Sequence, residues 1–281
     1  MVSDIRKEDR DLADRHFDKG LSKDIKGRLD EAISEMEKAI GVDPGFAEAY
    51  NKLGDFYMKK GWITKAAGMF EKSIELKPET ENSYFDLGCA LALLGRYSEA
   101  LNHLERALSI DPNHYEIYGR MGKVYFEMNL YAEAIENLKK ALVKDQNDIM
   151  ARFTLGMAYQ KIQKKTDAQQ QFETLIEQYS HLAQLKDRFA EAHYYIGRAY
   201  FFMENYAKAI EHLKMAVEFD TERVDHHFSF GMYYRDADAF FAMGEALAAS
   251  GDKIAARVYL QKALDLDSEN QKFLDFQKEI Y

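Results

Sequence analysis

The sequence predicts an all-α protein built from antiparallel helix pairs repeated along the chain, and three observations predict it. Seven glycines, Gly20, Gly54, Gly88, Gly122, Gly156, Gly197 and Gly244, fall in one register, the first five spaced by 34 residues and the last two by 41 and 47. Twelve positions after each stands an alanine: Ala32, Ala66, Ala100, Ala134, Ala168, Ala209 and Ala256. Seven positions further on the residue is again small (Ala39, Ser73, Ala107, Ala141, Ala216, Ala263), with Leu175 the departure, and Pro44, Pro78 and Pro112 share one position near the end of a unit. A glycine inside a helix costs roughly 0.8–1 kcal/mol relative to alanine, so seven cost on the order of 6–7 kcal/mol, comparable to the net stability of an ordinary domain. Such a loss is accepted only where the missing side chain lets another backbone come close. Repetition at this period marks an array of supersecondary units.

The units start at residues 13, 47, 81, 115, 149, 190 and 237, after a charged segment, 1–12. Each divides into two helices. In the third, Tyr84, Leu87, Gly88 and Leu91 recur at i, i+3, i+4 and i+7, the stripe of a helix with one buried face. Gly95 interrupts it, Ala100, Leu104 and Ala107 form a second stripe, and Asp111-Pro112 stops that one. About three residues join the two helices, which makes them antiparallel and sets the glycine of the first facing the alanine of the second. The period breaks twice. The seven extra residues 183–189 make two helical turns and can lengthen a helix without changing its phase. The thirteen residues 224–236, VDHHFSFGMYYRD, read as an irregular loop whose aromatics pack on the neighbouring repeat, or as a lip over a binding surface. Residues 271–281, with Phe273, Phe276 and Ile280 on one stripe, form a closing helix.

Over residues 13 to about 270 the sequence resembles the tetratricopeptide repeat family. The second unit carries the pattern almost in full in Tyr50, Leu53, Gly54, Tyr57, Ala66, Phe70 and Pro78. The first is degenerate, with His16, Lys19 and Lys23 where large apolar residues are usual, which suits a terminal repeat with water on one side. The resemblance implies a right-handed superhelix, an α-solenoid, whose first helices line a concave groove, and a capping helix at 271–281.

Composition narrows the function. The chain is 281 residues long with a formal net charge of −10, which argues against a nucleic-acid surface and against docking on anionic lipid. Six of the first ten residues are charged, no apolar run approaches the ~20 residues that span a bilayer, and the one cysteine, Cys89, forms no internal disulfide framework. A cytoplasmic setting without membrane insertion follows as the expectation. No HExxH, GxSxG, P-loop or GxGxxG pattern occurs. His226-His227 lacks the further ligands of a metal site, Cys89 lacks a basic neighbour in sequence, Glu99 and Glu133 belong to a solvated helix face, and Trp62 at a helix–helix turn reads as a surface staple. No catalyst, metal or cofactor is expected.

The resemblance places positions 2, 5, 6, 9, 12 and 13 of each unit on the groove. By that rule the partner-binding candidates are Phe85, Leu93, Arg120, Lys123, Phe126, Met150, Phe153, Met157, Tyr194, Arg198 and Phe201. Apolar patches with Met and aromatics mark protein contacts. The set of Lys and Asn with which some family members grip a C-terminal carboxylate is missing, since the matching positions hold Phe17, Leu21, Lys52, Asn82 and Asp86. The sequence thus points to a non-enzymatic adaptor or assembly factor binding a peptide or helix of a partner protein, with Arg120, Lys123 and Arg198 flanking apolar anchors. On this reading Phe153→Ala and Tyr194→Ala weaken partner capture without unfolding the array. The alternatives are a self-associating homo-oligomeric scaffold, and a regulatory module of an enzyme or secretion complex.

Overall fold

Fifteen helices and no strand make up the regular structure of the described residues, 6–185, 190–220 and 236–281, in this computed structural model. The chain divides into two compact units, Met1–Leu130 and Tyr131–Tyr281. The first holds α1 (Lys7–Ile25), α2 (Leu29–Val42), α3 (Ala47–Lys59), α4 (Ile63–Leu76), α5 (Glu81–Leu93), α6 (Tyr97–Ile110) and α7 (Glu116–Glu127). The second holds α8 (Tyr131–Lys144), α9 (Ile149–Lys161), α10 (Lys165–Leu185), α11 (Ala190–Phe202), α12 (Tyr206–Asp220), α13 (Asp236–Ser250), α14 (Lys253–Leu266) and α15 (Gln271–Ile280). The expected all-α, helix-pair fold class is observed. Within the units α1 packs on α2, α3 on α4, α5 on α6, α9 on α10, α11 on α12 and α13 on α14. First helices also touch the next first helix, α3 with α5, α5 with α7, α9 with α11 and α11 with α13, so each unit presents a face made of first helices.

The glycines admit the alanine backbone as expected, and at most of them a large side chain comes closer still. A Cβ built on Gly54 would stand 2.5 Å from Phe70, one on Gly88 2.8 Å from Leu104, one on Gly156 2.6 Å from Phe172 and one on Gly197 2.7 Å from Leu213. The glycine therefore seats the large side chain sixteen residues on. The alanine twelve residues on contributes its backbone instead: Ala32, Ala100, Ala209 and Ala256 bring a carbonyl oxygen to 3.1–3.3 Å from the built Cβ of Gly20, Gly88, Gly197 and Gly244. The residues at that spacing, Met36, Phe70, Leu104, Leu138, Phe172, Leu213 and Leu260, are all at most 1% exposed, a regularity as firm as the alanines.

The turns between paired helices follow from a second register. Gly27, Gly61, Gly95 and Gly251 have positive φ, and at the equivalent places Asn129, Gln163 and Glu204 adopt φ of 61–63°. After each comes an amide that bonds back five residues: Trp62 to Tyr57, Arg96 to Leu91, Leu130 to Tyr125, Lys164 to Tyr159 and Asn205 to Tyr200, all at 2.9 Å. This is the Schellman closure, which needs one left-handed residue. At Gly61 that conformation is free of a Cβ clash; Gln163 and Glu204 accept it at a cost because the 6→1 bond and the flanking helices fix the turn. The apolar contact that accompanies the motif is the pair of rings Trp62 and Tyr57, 5.6 Å apart, which accounts for Trp62 as a staple.

Other departures have physical causes. α1 begins at Lys7, inside the segment read as a charged N-terminal extension. Arg6 bonds to Asp9 at 2.8 Å, Glu8 and Asp9 suit the positive end of a helix, and Arg10 pairs with Asp43 and lies 4.5 Å over the Phe46 ring. α10 is 21 residues long, against 14 for α4 and α6, so the extra segment after Leu182 continues the helix as far as Leu185. Residues 186–189 and 224–235, with His226, His227, Phe228, Phe230, Tyr233 and Tyr234, lie outside the described residues. Residues 271–280 form α15, whose Phe273 stacks 4.6 Å from Phe241 while Phe276 meets the same ring edge-on at 5.3 Å.

Candidate functional site

The first-helix face of the first unit is polar. On α3, Lys52 Nζ lies 2.7 Å from Asp55 Oδ2, and Lys59 Nζ lies 2.6 and 2.7 Å from the two carboxylate oxygens of Asp24 on α1. Across to α5, Asn51 donates from Nδ2 to Asp86 Oδ2 at 2.9 Å and to Ser83 Oγ at 3.4 Å; Ser83 Oγ in turn meets Ser73 Oγ of α4 at 2.9 Å. Asp55 and Asp86 are 4% and 7% exposed. Burial pushes both carboxyls above the usual range, Asp86 well above it because the charge of Asp55 adds to desolvation. Cys89 follows Asp86 by three residues on α5; burial pushes its thiol up to about 12, with the positive charge of Arg120 opposing. A thiol held protonated is no nucleophile at neutral pH.

The corresponding face of the second unit is aromatic. Phe153 of α9 meets Tyr195 at 5.4 Å, Phe172 at 5.9 Å and Phe202 at 5.9 Å, and Phe172 stacks on Phe202 at 5.8 Å. The Arg198 guanidinium lies 4.9 Å from the Phe202 ring and 5.3 Å from Phe201, and pairs with Glu245 of α13. Burial opposes its charge, and Glu245 more than offsets this, holding the group cationic above its ordinary value.

These contacts divide the candidates. Phe85, Phe126, Met150, Phe153 and Arg198 are 4–8% exposed in the free chain. Phe85 turns against His114, with ring centroids 4.8 Å apart, and Arg198 has spent its charge on Glu245. Phe153 is covered from both kinds of helix, by Phe172 of α10 and by Tyr195 and Phe202 of α11. Leu93, at 48%, is exposed, and Arg120, Lys123, Met157, Tyr194 and Phe201 are half-buried. Nothing in the sequence marks Asp55 and Asp86 as a pair beyond their separation of 31 residues, close to one repeat, which puts them on α3 and α5.

A polar pair, His193 buried and His212 half-buried, lies elsewhere, between α11 and α12. His193 Nδ1 and His212 Nδ1 are 3.0 Å apart, and Tyr200 stacks on His212 at 5.7 Å. The same place in other repeats holds Tyr84 on His103, Arg152 Nη1 on Gln171 Oε1 at 3.2 Å and Phe240 on Tyr259, so this is a packing seam with changing chemistry. At 3.0 Å one imidazole donates and the other accepts, which requires an acceptor nitrogen without a proton. Burial lowers the pKa of both rings, with His193 adding to the effect on His212. Folding thus releases protons below the ordinary histidine pKa of about 6.5, and stability falls as pH falls through that value toward the depressed folded value. The urea midpoint of the second unit is expected to drop between pH 7.5 and pH 5.5, and His212→Gln to flatten that drop; an unchanged slope in the variant would count against the pair. Among the described residues no three His, Cys, Asp or Glu side chains are grouped to hold a metal ion, and no helix is long and apolar enough to cross a membrane.

Family models described as tetratricopeptide repeat match residues 45–113, 91–150, 150–181, 190–221 and 237–270, and one described as TPR repeat matches 25–61. The tetratricopeptide repeat domain-containing protein PYG7, chloroplastic, of Arabidopsis thaliana is 40% identical over 53 residues, which cover 19% of this chain and 18% of that protein. The crystal structure of MamA is similar at 28% identity with a TM-score of 0.54, over 59% of this chain and 96% of that one. A tetratricopeptide repeat protein from Parabacteroides merdae shares the fold over 96% of this chain and 99% of its own, with a TM-score of 0.67 at 17% identity.

Proposed function

The chain belongs to the tetratricopeptide repeat family, generally a protein–protein interaction fold, and on that premise we propose that it is a non-enzymatic adaptor or assembly factor holding an extended or helical segment of a partner against its first-helix faces. One observation carries the reading. At groove positions where packing could have buried everything, the faces keep Leu93, Arg120 and Lys123 in the first unit and Met157, Tyr194 and Phe201 in the second at least partly exposed. Such a mixture of apolar and cationic groups on a rigid scaffold suits a polypeptide ligand, which offers both side chains and backbone carbonyls. A cytoplasmic setting fits the single cysteine. Benzoylphenylalanine placed at Lys123 or Met157 in the native host is expected to cross-link a defined polypeptide on irradiation. The same probe at Ile254 or Val258, exposed on α14, is expected not to. Equal cross-linking from α14, or none from the first helices, would sink the proposal.

A further inference from the structure

From the buried carboxylates between α3 and α5 we infer a socket for an arginine side chain of the bound polypeptide, formed by Asp55 and Asp86 and occupied in the free chain by this protein's own Lys52. The inference deepens the adaptor reading and rests on it for its setting. Asp55 is an incomplete site. Its side chain is 5% exposed, Oδ2 is taken by Lys52, and Oδ1 is buried with no hydrogen-bond partner among the described residues. A buried carboxylate oxygen without a donor is a standing cost that a ligand with donors removes. Asp86, on the adjacent helix, feels the charge of Asp55 and accepts from Asn51 at one oxygen, Oδ2.

The chemistry of the pair selects its ligand. Lys52 is a compact ammonium on a stem that stays 41% exposed, so it satisfies one oxygen and can swing out to solvent. A guanidinium has five N–H donors in a flat fork, enough to serve Oδ1 of Asp55 and the neighbouring carboxylate together. The charges around Asp86 are Lys52 and Asp55 on α3, Glu81 and the neutral thiol of Cys89 on α5, and Arg120 and Glu116 of α7, which face Cys89; Lys59 of α3 is held by Asp24 of α1. Glu81 is engaged by His114. Because the raised Asp86 must ionise to meet a cation fully, binding releases a proton and affinity rises with pH across its titration.

The test is titration of the 15N-labelled full chain with N-acetyl-arginine amide, followed by amide chemical shifts. Saturable shifts are expected around Asp55, Ser83 and Asp86. Lys52→Met, which removes the internal competitor, is expected to tighten binding by about three- to tenfold. Asp86→Asn is expected to weaken it about fivefold or more and to flatten its rise with pH, and N-acetyl-lysine amide to bind about tenfold more weakly than the arginine probe. No saturable shift in either the wild type or Lys52→Met overturns the socket, as does unchanged binding by a folded Asp86→Asn or equal binding of the lysine probe. Should Asp86→Asn lose its helical circular dichroism, Lys52→Met and the wild-type pH series decide alone. Failure of the probe with cross-links from Lys123 intact removes the socket and leaves the adaptor reading. Lost cross-links with the probe still bound remove the adaptor reading instead.

Discussion

Phe153→Ala is expected to destabilise the second unit by about 3–5 kcal/mol, the range for removing a buried aromatic side chain from a core that cannot collapse. The ring is 8% exposed and touches three others from two helices: Phe172 on α10, and Tyr195 and Phe202 on α11. None of these can close the gap alone. Phe172 is pinned under Gly156, and Phe202 is held by the Arg198 guanidinium and by its carbonyl, which accepts from Gln160 Nε2 at 3.3 Å. Tyr194→Ala, by contrast, truncates a half-buried ring and is expected to cost about 1 kcal/mol. Urea unfolding followed by circular dichroism separates the two. A loss below about 1 kcal/mol for Phe153→Ala would show that the ring does not act as core. The sequence alone leads one to expect that both substitutions spare the fold; the burial of Phe153 leads one to expect it only of Tyr194→Ala.

How far the sequence could be read depends on which neighbours a residue meets. Contacts within a helix pair have a fixed spacing, so the helix-pair fold and the buried alanines followed from the register of Gly20 to Gly244. The large residue sixteen after each glycine was legible in the same way but hidden by varying identity, Met36, Phe70, Leu104, Phe172 and others filling one place. The left-handed turn was legible at Gly61 and Gly95 and concealed at Gln163 and Glu204, where tertiary structure overrides preference. The groove was the least legible part. Whether Phe85 or Leu93 reaches solvent depends on how closely two first helices approach, and the size of the side chains between them sets that. One helix face therefore holds a residue 4% exposed and another 48% exposed. The ion pair of Arg198 was hidden for a related reason: Glu245 lies 47 residues away across an insertion that disturbs the register.

The glycines yield the second large effect, and they are expected to differ among themselves. Gly54→Ala would bring a methyl to 2.5 Å from Cε1 of Phe70, with Cδ1 and Cζ at 2.8 and 2.9 Å, and that ring is fully buried. Overpacking of this kind costs about 1–3 kcal/mol and is offset by the ~1 kcal/mol that alanine gains over glycine within a helix; with the contact at the tight end of that range the net loss is up to about 2 kcal/mol. Gly156→Ala meets Phe172 at 2.6 Å and is expected to behave alike. At Gly244 the nearest atoms are the Ala256 carbonyl oxygen at 3.3 Å and the Leu260 amide nitrogen at 3.6 Å, with no side chain closer than Phe276 at 3.8 Å. There a few tenths of an ångström of give suffice, and the helix gain is expected to leave Gly244→Ala neutral or up to about 0.5 kcal/mol more stable. Urea midpoints of the three single variants check this ordering. If all three lose stability equally, the glycines are held by the approach of the alanine backbone, as their spacing alone implied. If only Gly54→Ala and Gly156→Ala do, they are held by the ring that each one seats.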